Sequence, residues 1–137
     1  MVKEIRTVGI IVEYNNEILI LHRNADKSQG NTWGVPAGKV DKNEKDLDTA
    51  IRELYEETGY KAGTDELKFI DTYIWNFPEI TVNFPTFKLD LQEKFDVKIN
   101  PDEHQGYEWI SPKKCYEKSD LIHGLQDLLE KVYNVKS

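Results

Sequence analysis

Apolar residues run almost unbroken through Arg6–Tyr14 (RTVGIIVEY), the pattern of a β-strand buried in the middle of a sheet. Asn15-Asn16 marks a turn, and Glu17–Leu21 (EILIL) returns as a second strand, so the pair predicts a hairpin. A polar loop without periodicity, Asn24–Asn31, leads into Thr32-Trp33-Gly34-Val35-Pro36-Ala37-Gly38. Leu47, Ala50, Ile51 and Leu54 then fall at i, i+3, i+4 and i+7, which predicts a helix over Asp46–Thr58 with one apolar stripe, stopped by Gly59.

Leu67–Phe77 and Ile80–Leu91 predict two long strands joined at Pro78-Glu79. The alternation breaks phase between Phe84 and Phe87, so Pro85 is expected at a bulge or on an edge. Gln92–Glu103 reads as an exposed loop, Tyr107–Ser111 as the last strand, and Ser111-Pro112 as the start of a short helical turn. A final helix is expected from a Ser119 or Asp120 cap to about Tyr133, burying Leu121, Leu125, Leu128, Leu129 and Val132. Hairpins flanking two helices, without βαβ repeats, indicate a single α+β layered domain over residues 1–137.

The acidic face of the first helix disturbs this picture. Glu53, Glu56 and Glu57 also fall at i, i+3 and i+4, and Glu53 and Glu57 form a like-charge i, i+4 pair. They crowd the last turns, where the helix dipole favours cations, at a cost of ~0.3–1 kcal/mol each. A divalent cation reverses that cost, because Mg²⁺ or Mn²⁺ prefers hard oxygen ligands. The plain alternative is a solvated acidic face with Arg52 and Glu56 as an ordinary ion pair.

The wider spacing decides between them. Gly38, five residues, Glu44, seven residues, then Arg52-Glu53-Leu54-x-Glu56-Glu57-x-Gly59 resembles the Nudix hydrolase signature, with Tyr60 in place of the usual final aliphatic. The resemblance implies a mixed, partly curled sheet sandwiched between the box helix and a C-terminal helix. It also implies cleavage of a pyrophosphate bond in a nucleoside diphosphate derivative, usually with Mg²⁺. Such chemistry suits metal ions, which offset phosphate charge and lower the pKa of a bound water. By the same resemblance Glu53, Glu56 and Glu57 are metal ligands together with the Gly38 carbonyl. Arg52 orients these catalytic carboxylates, and Glu44 either supports them or simply favours the positive end of the helix dipole.

Composition narrows the partners. A net charge of −7 argues against nonspecific binding to nucleic acid or anionic membrane. Cys115 is alone, so neither an intrachain disulfide nor a cysteine zinc site is available. The first residues carry too short an apolar run for a signal peptide, and no run approaches the ~18 residues of a membrane span, so the cytoplasm is expected. Nudix proteins often dimerise, yet no stretch here marks a homodimer interface.

Outside the box, Arg23 ends a strand where Nudix enzymes often place a cation against the distal phosphates. Trp33 either stacks on a base or wedges its loop onto the core. Asp102–Trp109 (DEHQGYEW) resembles the segment before the last strand in dinucleoside tetraphosphate hydrolases and some triphosphate pyrophosphohydrolases. Glu103 is therefore a candidate general base or additional metal ligand, against an ordinary loop acid. His104 is a candidate phosphate or base contact, against a structural histidine. Tyr107 and Trp109 share a strand face; Tyr107 is the candidate for substrate and Trp109 for the core. His22 and His123 are too scattered for a metal site.

The expected substrate is a nucleoside triphosphate or dinucleoside polyphosphate. Pro36-Ala37-Gly38 departs from the commoner Pro-Gly-Gly and leaves an ADP-ribose-like nucleotide sugar as the alternative. A nucleotide sensor without catalysis is a different class, but such modules typically lose box carboxylates that are all present here. RNA cap removal is disfavoured by the acidic balance and the lack of a basic stripe.

Overall fold

A computed structural model describes residues 2–135. The strands are β1 (Lys3–Tyr14), β2 (Glu17–Arg23), β3 (Trp33–Gly34), β4 (Ala37–Lys39), β5 (Leu67–Asn76), β6 (Ile80–Asp90) and β7 (His104–Ile110). The helices are α1 (Asp46–Thr58), α2 (Pro112–Tyr116) and α3 (Leu125–Tyr133). All strands join one mixed sheet with the path β3-β2-β1-β6-β5, β4 pairing with β1 and β7 with β2. Among the described strands only β1 and β6 pair in parallel.

The β1–β2 hairpin turns on Asn15 and Asn16, both with positive φ as a tight primed turn requires. Its two strands stay registered only at Glu13–Ile18 and Tyr14–Glu17. Beyond that they splay, and the segment 33–39 fills the fork: β3 pairs with β2 and β4 with β1. This insertion brings Gly38 to the centre of the sheet.

Alternation along the central strands feeds two cores. Val8, Ile10, Val12, Leu19 and Leu21 face α1, where Ala50 and Leu54 are fully buried and Leu47 and Ile51 pack beside them. Ile11, Ile18, Ile20 and Phe84 face α2 and α3, meeting Leu125, Leu128 and Leu129. The sheet is thus layered between the box helix and the C-terminal helix. Helix α1 ends on Gly59 at φ 81, whose N–H donates to the Tyr55 carbonyl. Arg6 on β1 forks onto Asp46 in the first turn at 2.7 and 2.8 Å, tying that end of α1 to the sheet.

Four expectations are corrected. Pro85 lies in β6, a strand paired on both sides, and the bulge falls on the neighbouring β5 between Phe69 and Asp71; the β1–β6 ladder is interrupted opposite Pro85, which has no N–H to donate. The segment 92–103 is not merely exposed: Val97 is buried, and Phe95 and Ile99 pack against the α1-side core. Strand β7 begins at His104 because Arg23 extends the β2–β7 ladder that far. The last helix begins at Leu125 on Gly124 (φ 96) rather than at Ser119 or Asp120. Leu121 instead bridges to Trp33, and Trp33 N–H donates to the Asp120 carbonyl, so residues 120–122 are held extended. Among the described residues no helix is long and apolar enough to cross a membrane.

Candidate active site

Helix α1 carries the acidic face toward the β4 segment. The Ala37 N–H donates to Glu57 Oε1 at 2.9 Å. Glu53 lies so close against Gly38 that a Cβ at residue 38 would overlap its carboxyl group. Glycine is required here by close approach, since its φ is not in the left-handed region.

Arg52 organises the other carboxylates. Its Nε and Nη2 donate to the two oxygens of Glu44 at 3.0 Å each, and Nη1 donates to Glu53 Oε1 at 2.8 Å and Glu56 Oε1 at 3.1 Å. Nη2 also reaches the Lys39 carbonyl at 3.2 Å. Glu44 is fixed further by the Thr49 hydroxyl at 2.6 Å and the Asp41 N–H at 3.1 Å. The guanidinium of Arg52, then the Thr49 hydroxyl, hold the Glu44 carboxyl down to about 2. Glu44 therefore anchors a guanidinium that in turn holds two box carboxylates.

Glu53 and Glu57 have the opposite electrostatics. Burial pushes Glu57 up to about 8, only partly offset by the Ala37 N–H, with Glu53 and Glu103 adding repulsion and Arg23 attraction. Burial also raises Glu53, against the pull of Arg52. These are carboxylates held out of water with too little positive charge near them. Among the described residues no three His, Cys, Asp or Glu side chains stand close enough together to chelate an ion as they are. Glu56 is turned outward onto Arg52, its side chain 47% exposed. The donor set nonetheless fits a hard divalent cation: all oxygen, under-compensated, and set beside a bare glycine backbone.

The remaining candidates divide. Arg23 and Glu103 both lie near enough to Glu57 to shift its ionisation, and Arg23 lines the adjoining cavity. Glu103 also approaches Lys27 at 3.8 Å. His104 is buried, 6% exposed, with no partner for Nδ1 among the described residues. Burial first, then Arg23, lowers its pKa to about 4, so it is a neutral imidazole behind Arg23. Trp33 stacks on His22 at 4.3 Å with Lys118 over its ring at 4.9 Å, outside the cavity. Tyr107 pairs with Leu21 and also lies outside it, whereas Trp109 packs on the α1-side core. Tyr60, the departure within the box, hydrogen-bonds Glu66 at 2.6 Å and packs on Phe95, away from the carboxylates.

A cavity of about 510 Å³ opens beside Gly38 on the α3 side of the sheet. Arg23, Ser28 and Gln29 form one rim, and Trp75, Phe77, Phe84 and His123 form an aromatic wall. Phe77 and His123 pack at 4.7 Å, and Trp75 Nε1 donates to Asp127 at 2.9 Å. Sequence reasoning missed this wall. Its members come from β5, the β5–β6 turn, β6 and the approach to α3, and no local spacing links them.

Comparison with known proteins agrees with this geometry. The family model described as NUDIX domain matches residues 3–132. CTP pyrophosphohydrolase of Escherichia coli K12 is 26% identical over 125 residues, 84% of this chain and 82% of the relative. The 8-oxo-dGTP diphosphatase of the same organism is 32% identical over 104 residues, 76% of this chain and 77% of the relative. The crystal structure of the MutT protein from Methanosarcina mazei Go1 superposes with a TM-score of 0.82 at 25% identity, covering 95% and 93% of the two chains. The RNA pyrophosphohydrolases of Bartonella that it also matches are spanned over only 46% of their length. With the match running through both the sheet and the box, the chain belongs to the Nudix family and is a pyrophosphohydrolase.

Proposed function

We propose that this enzyme is a Mg²⁺-dependent nucleoside triphosphate pyrophosphohydrolase, with Glu53, Glu56, Glu57 and the Gly38 carbonyl holding the metal. The observation that carries the reading is that Glu53 and Glu57 lie against Gly38 and Ala37, two residues that also line a cavity with aromatic side chains. Anhydride chemistry and base binding then share one cleft. The names of two relatives matched across most of their length, for CTP and 8-oxo-dGTP, support a triphosphate of that size.

When bound, a divalent cation would neutralise phosphate charge and acidify a water. The chain's own residues do the rest. Arg23 meets the distal phosphates from the cavity rim. Glu103, close enough to Glu57 to repel its charge, accepts a proton from the attacking water. Arg52 holds Glu44 together with Glu53 and Glu56, two of the carboxylates that would bind the ion, so it positions ligands and does not touch substrate.

A hydrolysis screen with Mg²⁺ across nucleoside triphosphates, dinucleoside polyphosphates and nucleotide sugars tests this. Cleavage of triphosphates to the monophosphate and pyrophosphate is expected, with Glu103→Gln losing on the order of 100-fold in kcat. Preferential cleavage of nucleotide sugars, or of none of the three classes, would overturn it.

A further inference from the structure

The β2–β7 ladder slips by one residue at its end. His22 pairs with Gly106 and Arg23 with His104, so Gln105 is the extra residue of a β-bulge. The Gln105 amide donates to the Arg23 carbonyl at 2.7 Å and to Asn31 Oδ1 at 2.8 Å. Beyond the bulge lies a turn over 100–103. There the Asn100 carbonyl accepts from the N–H groups of Glu103 and His104, and Asn100 Oδ1 accepts from Asp102 N–H at 3.0 Å. Asn24, the residue after Arg23, takes hold of this turn twice. Its backbone N–H donates to the Glu103 carbonyl at 3.0 Å, and its Nδ2 donates to the Pro101 carbonyl at 2.8 Å. A carbonyl only accepts, so the amide nitrogen must face Pro101. Pro101 has no N–H with which to extend the ladder, and the side-chain bond takes the place of one. The Glu103 carboxylate, by contrast, is 41% exposed and approaches Lys27 no closer than 3.8 Å. Its place is therefore set by the backbone that carries it.

Resting on the reading of Glu103 as the proton acceptor, we propose that Asn24 is a positioning residue for the hydrolysis: through the Pro101 carbonyl it holds the 100–103 turn and so fixes where the Glu103 carboxylate stands. The bond joins residues 77 apart in sequence, so it ties two separate loops together and is not part of a local turn. Arg23 and Asn24 are consecutive, and Arg23 is itself oriented by the bond from its Nε to the Ser28 carbonyl at 3.0 Å. One short stretch at the end of β2 thus sets both the cation for the phosphates and the acceptor for the proton. The competing role for Asn24 is a loop tie that serves stability alone, and it predicts different kinetics.

A double-mutant cycle between Asn24→Ala and Glu103→Gln, read by steady-state hydrolysis of nucleoside triphosphates with Mg²⁺, separates the two. Asn24→Ala should lower kcat about tenfold and leave KM within about twofold, because a positioned group is displaced while no substrate contact is lost. In the Glu103→Gln background the same change should cost about twofold or less, since the group it positions is already gone. Amide hydrogen exchange of the free protein adds a readout apart from turnover. The Glu103 and His104 N–H groups should exchange about fivefold faster or more in Asn24→Ala, with the β1 amides unchanged. Asn24→Leu fills the space without supplying the donor and should repeat both results. Equal losses of kcat in the two backgrounds, a raised KM with kcat intact, or unchanged exchange at Glu103 and His104 overturns the proposal. Failure of the underlying reading shows separately: Glu103→Gln alone would keep the parent kcat, and the proposal would fall with it.

Discussion

Glu53 occupies the space that a side chain on Gly38 would need. The box glycine and the first box carboxylate are therefore one steric unit, joined across the gap between β4 and α1.

Gly38→Ala should push Glu53 off the β4 backbone. The overpacking costs about 1–3 kcal/mol of stability. Displacement of this carboxylate, proposed above as a metal ligand, by an ångström or so should lower kcat on the order of 100-fold. Thermal unfolding and steady-state kinetics check both, and a variant with unchanged kcat would separate the glycine from the carboxylate.

Arg52 holds Glu44, Glu53 and Glu56 with a planar fork. Lysine has the charge but only a point donor, so Arg52→Lys cannot keep all three. Tenfold or more should be lost from kcat, roughly the effect of removing an outer partner of a metal ligand, with KM for nucleotide little changed. A rise in KM alone would mean that Arg52 contacts substrate.

His104 makes stability depend on pH. Its imidazole is held down to about 4 in the fold, chiefly by burial and then by Arg23, against ~6.5 when unfolded. Between those values the unfolded chain binds the extra proton, so the stabilisation is complete above ~6.5 and is lost as pH falls through 4. His104→Asn should show a shallower fall of Tm from pH 6.5 to 4 than the parent protein. Parallel slopes would remove His104 from the account.

Gly124 combines a left-handed φ of 96 with the Trp75 ring 3.3 Å from where its Cβ would lie. Gly124→Ala should cost about 1–2 kcal/mol from the backbone alone. It should also raise the KM for nucleotide, because the displaced indole belongs to the cavity wall. Circular dichroism melts and KM values for the variant measure the two effects independently.

How much of this was legible in the sequence varies with how local the cause is. The stripe of Leu47, Ala50, Ile51 and Leu54 and the stop at Gly59 gave helix α1 its observed ends, because propensity, amphipathicity and capping all act within one helix. Asn15-Asn16 announced its hairpin for the same reason. The early start expected for the last helix fails because Leu121 fits a helical stripe equally well, and only the distant Trp33 claims it for an extended bridge. Val97 lies in a mixed-charge stretch whose burial depends on α1 being nearby: Lys98 N–H donates to the Thr58 carbonyl. The carboxylate cluster could be read because its members share one helix face. The aromatic wall could not, since Phe77 and His123 meet only after the sheet and α3 have assembled.

On the proposed function, the box carboxylates hold the divalent ion that makes the anhydride cleavable. Mn²⁺ binding followed by electron paramagnetic resonance, run beside nucleotide hydrolysis on the parent protein and Glu56→Gln, tests it most directly. The parent should bind Mn²⁺ stoichiometrically and Glu56→Gln at least tenfold more weakly, with a parallel loss of most hydrolysis and the fold intact by circular dichroism. Hydrolysis that persists in Glu56→Gln, or that is unaffected by a chelator, would contradict it.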